Sequence, residues 1–159
     1  MSGWFVVNVA AAKALRHQHA GSFVAFEDPE EPFPDYGINV HQLEPGQPNA
    51  KYHAESVQED FLVLSGECVA IIDGEERRLE ACDFVHCPAG TEHVFVGAEK
   101  GPCAILMVGA RRPDTTVQYP VNELAARYGA SAAEPTSMPE EAYADWSSEL
   151  TPTRLSWPP

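Results

Sequence analysis

One histidine and two carboxylates fall within seven residues, at His53, Glu55 and Glu59. A second histidine, His93, closes the stretch Pro88-Ala89-Gly90-Thr91-Glu92-His93. Imidazole nitrogens and carboxylate oxygens together suit Fe, Mn, Ni, Co or Zn. In an extended chain, side chains alternate between faces, so residues 53, 55 and 59 share parity and Phe61 and Val63 continue it. That places a carboxylate at the head of an apolar row. An uncompensated carboxylate in an apolar interior costs several kcal/mol, which a divalent cation would offset. The alternative is a solvent-facing mouth where the same groups hold nothing.

The remaining polar groups carry less chemistry. His86 shares parity with Phe84 and is expected to point inward, as a satisfied core histidine or a contact to ligand. His41 and Tyr52 are candidate wall residues. His17-x-His19 has ligand-like spacing but no carboxylate at a useful distance in sequence. Asp60 has the opposite parity to Glu59 and is expected to face outward. Arg111 and Arg112 read as solvated charges at the end of a strand.

These groups need elements to hold them. From Tyr52 to Val108 apolar runs recur at Phe61 to Leu64, Cys68 to Ile72, Phe84 to Cys87, Val94 to Val96 and Ala104 to Val108. Ser65-Gly66, Asp73-Gly74, Pro88-Ala89-Gly90 and Gly101-Pro102 separate them, and Asp73-Gly74 suits a tight hairpin. Short strands at this spacing predict an all-β antiparallel barrel or sandwich. Residues 1–37 read as a lead-in, with β-type runs at Trp4 to Val9 and Phe23 to Phe26 and a helical turn over Ala10 to Leu15. Residues 38–112 read as the barrel. Residues 113–159 read as an extension with short helices at Asn122 to Gly129 and Pro139 to Trp146. Asn122 and Gly129 are placed to cap the first. Leu155 and Trp157 suggest that the tail packs on a surface.

The chain has 159 residues, 44% of them hydrophobic, with 24 acidic against 10 basic residues and a formal charge of −14. A surface that acidic repels phosphate backbones and anionic lipid, which argues against nucleic acid and membrane partners. No apolar run is long enough for a transmembrane helix. The N-terminal stretch lacks the basic start of a signal peptide. Cys68, Cys82, Cys87 and Cys103 show no C-x-x-C spacing and lie in or beside apolar segments. They read as buried, reduced thiols, and the expected location is cytoplasmic.

The two histidine-bearing stretches resemble the paired motifs of the cupin superfamily. Gly46, His53, Glu59 and Gly66 follow the first motif, G-x5-H-x-H-x3,4-E-x6-G. Pro88, Gly90 and His93 follow the second, G-x5-P-x-G-x2-H-x3-N, and the resemblance covers roughly residues 38 to 109. It implies a cupin-type jelly roll holding a divalent metal ion through two or three histidines and a glutamate. The departures are specific. The loop before His53 is one residue longer, Glu55 stands at the second histidine, Cys82 at the opening glycine and Gly97 at the closing asparagine. The implied ligands are His53, Glu59 and His93, with Glu55 in place of the missing imidazole. Two histidines and two carboxylates form a harder set that favours Mn or Fe(II). With Glu55 turned away, two histidines and one carboxylate leave positions open for oxygen chemistry at Fe(II).

The resemblance thus implies an enzyme of small molecules, either a dioxygenase or a sugar-type isomerase. In the isomerase, a carboxylate such as Glu55 would move the proton. The alternative is a non-catalytic module that binds a small ligand. The family also implies a homodimer.

Overall fold

The computed structural model of the chain describes residues 3–158. Its strands in chain order are β1 (Ala14–His17), β2 (Gly21–Ala25), β3 (Tyr36–Leu43), β4 (Ala54–Glu55), β5 (Glu59–Ser65) and β6 (Glu67–Ile72). They continue with β7 (Glu75–Glu80), β8 (Phe84–Cys87), β9 (His93–Gly97), β10 (Cys103–Ala110), β11 (Val117–Gln118) and β12 (Leu150–Thr153). Two short helices, α1 (Glu123–Ala126) and α2 (Pro139–Ala142), lie between the last two strands.

The strands form a larger sheet in the order β12-β1-β2-β3-β10-β5-β8, a smaller one in the order β7-β6-β9, and the pair β11-β4. All named strand pairs are antiparallel. This is the jelly-roll type of β-barrel. The turn between β6 and β7 carries Asp73 at φ 47° and Gly74 at φ 77°, both left-handed as a two-residue hairpin requires.

Alternation sets the core. Phe61 and Val63 of β5, Ile105 and Met107 of β10 and Leu43 of β3 project from the larger sheet. They meet Cys68 and Ala70 of β6 and Phe95 of β9 from the smaller one. Phe61 and Phe95 pack with ring centroids 4.4 Å apart and planes tilted by 40°. Burying a side chain of that size contributes about 1.5–3 kcal/mol. The opposite faces are covered as well. Tyr52, Val69, Ile71, Val94 and Val96 pack under Ala125 and Ala130 of the C-terminal extension. Ala14, Val24, Val40 and Ala104 pack under Ala12 and Leu155. The tail is tied down further by β12, which pairs with β1 from Leu150 to Thr153.

The lead-in departs from expectation. Trp4 to Val9 forms no strand, and Trp4, Phe5, Val6 and Val7 are exposed. The helical turn shrinks to a 3₁₀ turn at Val9–Ala11 with Asn8 accepting from the Ala10 N–H. Ala14 and Leu15 instead join β1, because ladders on both sides override local helical preference. Both C-terminal helices start where expected but are shorter, the first ending at Ala126 and the second at Ala142. Asn122 accepts from the Ala125 N–H, and Gly129 turns the chain at φ 68°.

The cysteines also divide. Cys68, Cys87 and Cys103 are buried, but Cys82 is exposed in the turn between β7 and β8. Cys82 has φ 80°, a conformation that glycine adopts freely and L side chains rarely do. This turn geometry explains why glycine opens the second motif. Gly97, at the other departure, packs its backbone against the loop after β3. A Cβ there would lie 2.2 Å from the Glu44 carbonyl oxygen.

Candidate metal centre

Three segments converge at one end of the core. Glu59 opens β5 on the inward parity of Phe61, and His93 opens β9. His53 lies just before β4 and is delivered by an isolated antiparallel bridge to His93. Its N–H donates to the His93 carbonyl at 3.1 Å, and the His93 N–H donates back at 2.8 Å. That exchange sets the two rings side by side, with centroids 4.8 Å apart. Phe61 packs against His93 from below at 5.0 Å, and Tyr119 lies 5.9 Å from the His53 ring.

One ligand atom from each of His53, Glu59 and His93 lies within 4.8 Å of the others. Glu59 Oε2 is 3.2 Å from His93 Nε2 and 3.9 Å from His53 Nε2. The opposite edges of the rings explain this aim. His53 Nδ1 lies 2.7 Å from the Lys51 carbonyl oxygen, and His93 Nδ1 lies 3.0 Å from that of Thr91. A carbonyl only accepts, so both Nδ1 atoms carry hydrogen, and each neutral ring presents its Nε2 lone pair to the centre. This is the arrangement that metal-binding histidines use.

Electrostatics agree. Burial and the neighbouring His53 push His93 down to about 4. Burial likewise lowers His53. Burial and the Glu55 charge push Glu59 up to about 8. These shifts favour neutral rings and a protonated Glu59 over ion pairs in the metal-free site. His93 Nε2 is buried without a hydrogen-bond partner. Two Nε2 lone pairs and a carboxyl group that can exchange its proton for an ion, all facing one another, fit a divalent cation.

A cavity of about 520 Å³ opens onto the cluster, with His41, Asn39, Asn49, Glu55, Met107 and Arg111 among its walls. Glu55 stands on this wall outside the three-atom group. Burial raises its pKa, and among the described residues its carboxylate has no side-chain hydrogen bond or ion pair. His41 is a wall residue as expected. Tyr52 is not; it lies fully buried behind the smaller sheet, its Oη accepting from the Gly74 N–H.

His86 reverses expectation. In β8, Cys87 takes the inward side and His86 the outward one, where its Nδ1 meets Asp60 Oδ1 at 2.6 Å. Asp60 faces outward as its parity predicts. His17 and His19 pack on Trp146, away from the cluster. Arg111 is not simply solvated, because Glu27 grips it through both guanidinium nitrogens. Asn39 and Asn49 escaped the sequence reading. Asn39 could have been found, since it shares the parity of His41 and Leu43 on β3. Asn49 lies in a loop whose path no periodicity describes.

With this geometry in hand, comparison with known proteins is direct. Residues 39–109 match the cupin domain model, and that stretch is a domain of the cupin superfamily. It is similar to the structure of a sugar phosphate isomerase of that superfamily from Silicibacter pomeroyi, with 30% identity and a TM-score of 0.54 over 60% of this chain and 62% of that one. The polyketide cyclase RemF from Streptomyces resistomycificus shares the fold at 18% identity and a TM-score of 0.59, over 70% and 83% of the two chains. A cupin protein from Bacteroides fragilis does so at 19% identity and a TM-score of 0.57, over 72% and 89%. The chain thus spans about three fifths of the length of the isomerase it resembles. No curated protein matches it in sequence. Among the described residues no helix is long and apolar enough to cross a membrane.

Proposed function

We propose that the chain is a metal-dependent cupin that moves a proton on a small polar carbonyl compound, as a sugar-type isomerase does. His53, Glu59 and His93 would hold the ion, and the bound ion would polarise the substrate carbonyl as a Lewis acid. The observation that carries the reading is Glu55. It is a second carboxylate in the same cavity, outside the donor group, free of partners and close enough to raise the pKa of Glu59. A carboxylate whose own pKa is raised by burial is a better general base near neutrality than a solvated one. It would take the proton from the hydroxyl-bearing carbon beside the carbonyl and return it to the former carbonyl carbon, while the hydroxyl proton passes to the former carbonyl oxygen. Asn39 Oδ1 and His41 Nδ1, both buried without partners on this wall, supply polar contacts that suit hydroxyl groups. The 30% identity to a sugar phosphate isomerase supports the same class.

The test is exchange of substrate carbon-bound hydrogen in D₂O, followed by NMR over a panel of aldoses, ketoses and their phosphates. Glu55→Gln should keep the bound ion and lose exchange by about 10²-fold or more. Exchange that survives Glu55→Gln refutes the role. A second reading, oxygen chemistry at Fe(II), is favoured by the positions that a three-donor set leaves open. Oxygen uptake by the Fe(II)-loaded protein with catechols, thiols or keto acids would select it. Tight metal and ligand binding with neither exchange nor uptake would mark a binding module.

A further inference from the structure

Lys51 is only 1% exposed, and the chemistry above makes no use of its ammonium. The ammonium is fully engaged by the C-terminal extension. Nζ donates to the carbonyls of Gly129 and Ser131 at 3.1 and 3.2 Å and to Asp145 Oδ2 at 2.9 Å. It also sits 4.9 Å over the Trp146 ring. The backbone on both sides of Lys51 is held by the same extension. The Lys51 N–H donates to Tyr143 Oη at 3.1 Å. The Tyr52 N–H donates to the Ala130 carbonyl at 2.6 Å.

The last of these bonds has a geometric consequence. The Tyr52 N–H and the Lys51 carbonyl belong to one peptide unit, and that unit is planar and rigid. Fixing the direction of its N–H fixes the direction of its C=O. That C=O accepts the His53 Nδ1 hydrogen at 2.7 Å and so turns His53 Nε2 toward Glu59. Tyr143 also meets Tyr119 edge-on at 5.7 Å, and Tyr119 lies beside the His53 ring.

We propose that the C-terminal extension is a brace for the metal centre, with Lys51 as the positioning residue through which residues 129–146 set the tautomer and aim of His53. The proposal rests on His53 being a metal ligand. It gives the extension a role in ion binding beyond covering the smaller sheet. An apolar side chain at position 51 would leave the Ser131 carbonyl without its donor, leave Gly129 only the Trp146 indole N–H, strip Asp145 of its ion pair and so loosen the extension. The Lys51 peptide would then lose its fixed plane, and His53 would sample both neutral tautomers.

The experiment uses the full chain with Lys51→Met, which keeps the reach and deletes the ammonium, and with Tyr143→Phe, which deletes the acceptor of the Lys51 N–H together with the hydroxyl contact to Tyr119. Long-range ¹⁵N NMR of the imidazoles reads the His53 tautomer in metal-free protein, and Co(II) titration reads affinity by visible absorption. The wild type should show His53 with hydrogen on Nδ1. Lys51→Met should show a mixed tautomer and about tenfold weaker Co(II) binding, with a smaller loss in Tyr143→Phe. Leu155→Ala, in the remote cluster behind the larger sheet, should lower the melting temperature and leave tautomer and affinity at wild-type values. Should Lys51→Met fail to fold, Tyr143→Phe decides by the same two readouts. Wild-type tautomer and affinity in a folded Lys51→Met or in Tyr143→Phe, with binding still weakened by His53→Ala, would overturn the brace alone. Unaltered Co(II) binding in His53→Ala would overturn the ligand assignment and the brace together.

Discussion

Glu59 makes ion binding a proton-exchange reaction, and the exchange can be counted. Burial and the Glu55 charge raise Glu59 from 4.5 to about 8, a difference worth roughly 5 kcal/mol against the charged form. At pH 7 the metal-free site therefore carries about 0.9 proton on Glu59, and at pH 9 about 0.1. The histidines add little, because His93 is held down at about 4 and His53 is lowered too. Binding of Zn(II) or Co(II) should release about one proton at pH 7 and nearly none at pH 9. The apparent affinity should rise about tenfold per pH unit up to pH 8 and then level off. Isothermal titration calorimetry in buffers of different ionisation enthalpy measures the release directly. In Glu59→Gln, binding should weaken by at least about tenfold, and what remains should carry no proton release. A release below about 0.3 proton at pH 7, or the same release in Glu59→Gln, would refute the placement of that proton.

Further predictions concern stability. The folded-state pKa of Glu59 lies above the ordinary carboxyl value of 4.5, so its contribution to the metal-free fold is present below that and lost as pH rises toward 8. His93 has the opposite sense, its contribution being lost as pH falls from 6.5 toward 4. Saturating Zn(II) should therefore stabilise the chain by roughly 2.5 kcal/mol more at pH 8.5 than at pH 6, read as a larger rise in melting temperature. Cys82→Gly should stabilise by about 1 kcal/mol in urea unfolding, because φ 80° burdens any L side chain. Gly97→Asn restores the motif residue yet should destabilise by about 3 kcal/mol, since its Cβ would lie 2.2 Å from the Glu44 carbonyl. His86→Ala should leave metal stoichiometry unchanged in elemental analysis, because the ring sits with Asp60 on the outer face.

Much of the barrel was legible wherever the signal is local. Asp73-Gly74 forms its hairpin, Asn122 caps its helix, and Phe61 and Val63 follow Glu59 inward, because turn chemistry and alternation act over a few residues. The lead-in was misread for the converse reason. Trp4 to Val9 has strand-like composition without a neighbour to pair with, while Ala14 pairs with Thr153 and Leu15 has neighbours on both sides. His86 was misplaced because parity says which residues share a face but not which face is inside. Pairing of Asp60 with His86 and of Glu59 with Cys87 settles the side of β8, and it leaves Phe84 exposed.

The spacing of His53, Glu59 and His93 along the chain was enough to nominate the donors, since imidazoles and a carboxylate at those positions already match a metal-binding motif. Their convergence required the bridge between residues 53 and 93. The direction of each Nε2 required carbonyls at Lys51 and Thr91 in the folded loops. Separation of Glu55 from the donor group, and the closure of residues 129–146 over Lys51, depend on contacts between segments far apart in sequence. Local pattern sets which side chains can cooperate. Which atoms face one another follows from the packing of the whole chain, because ring orientation and peptide planes are fixed by partners that periodicity cannot name.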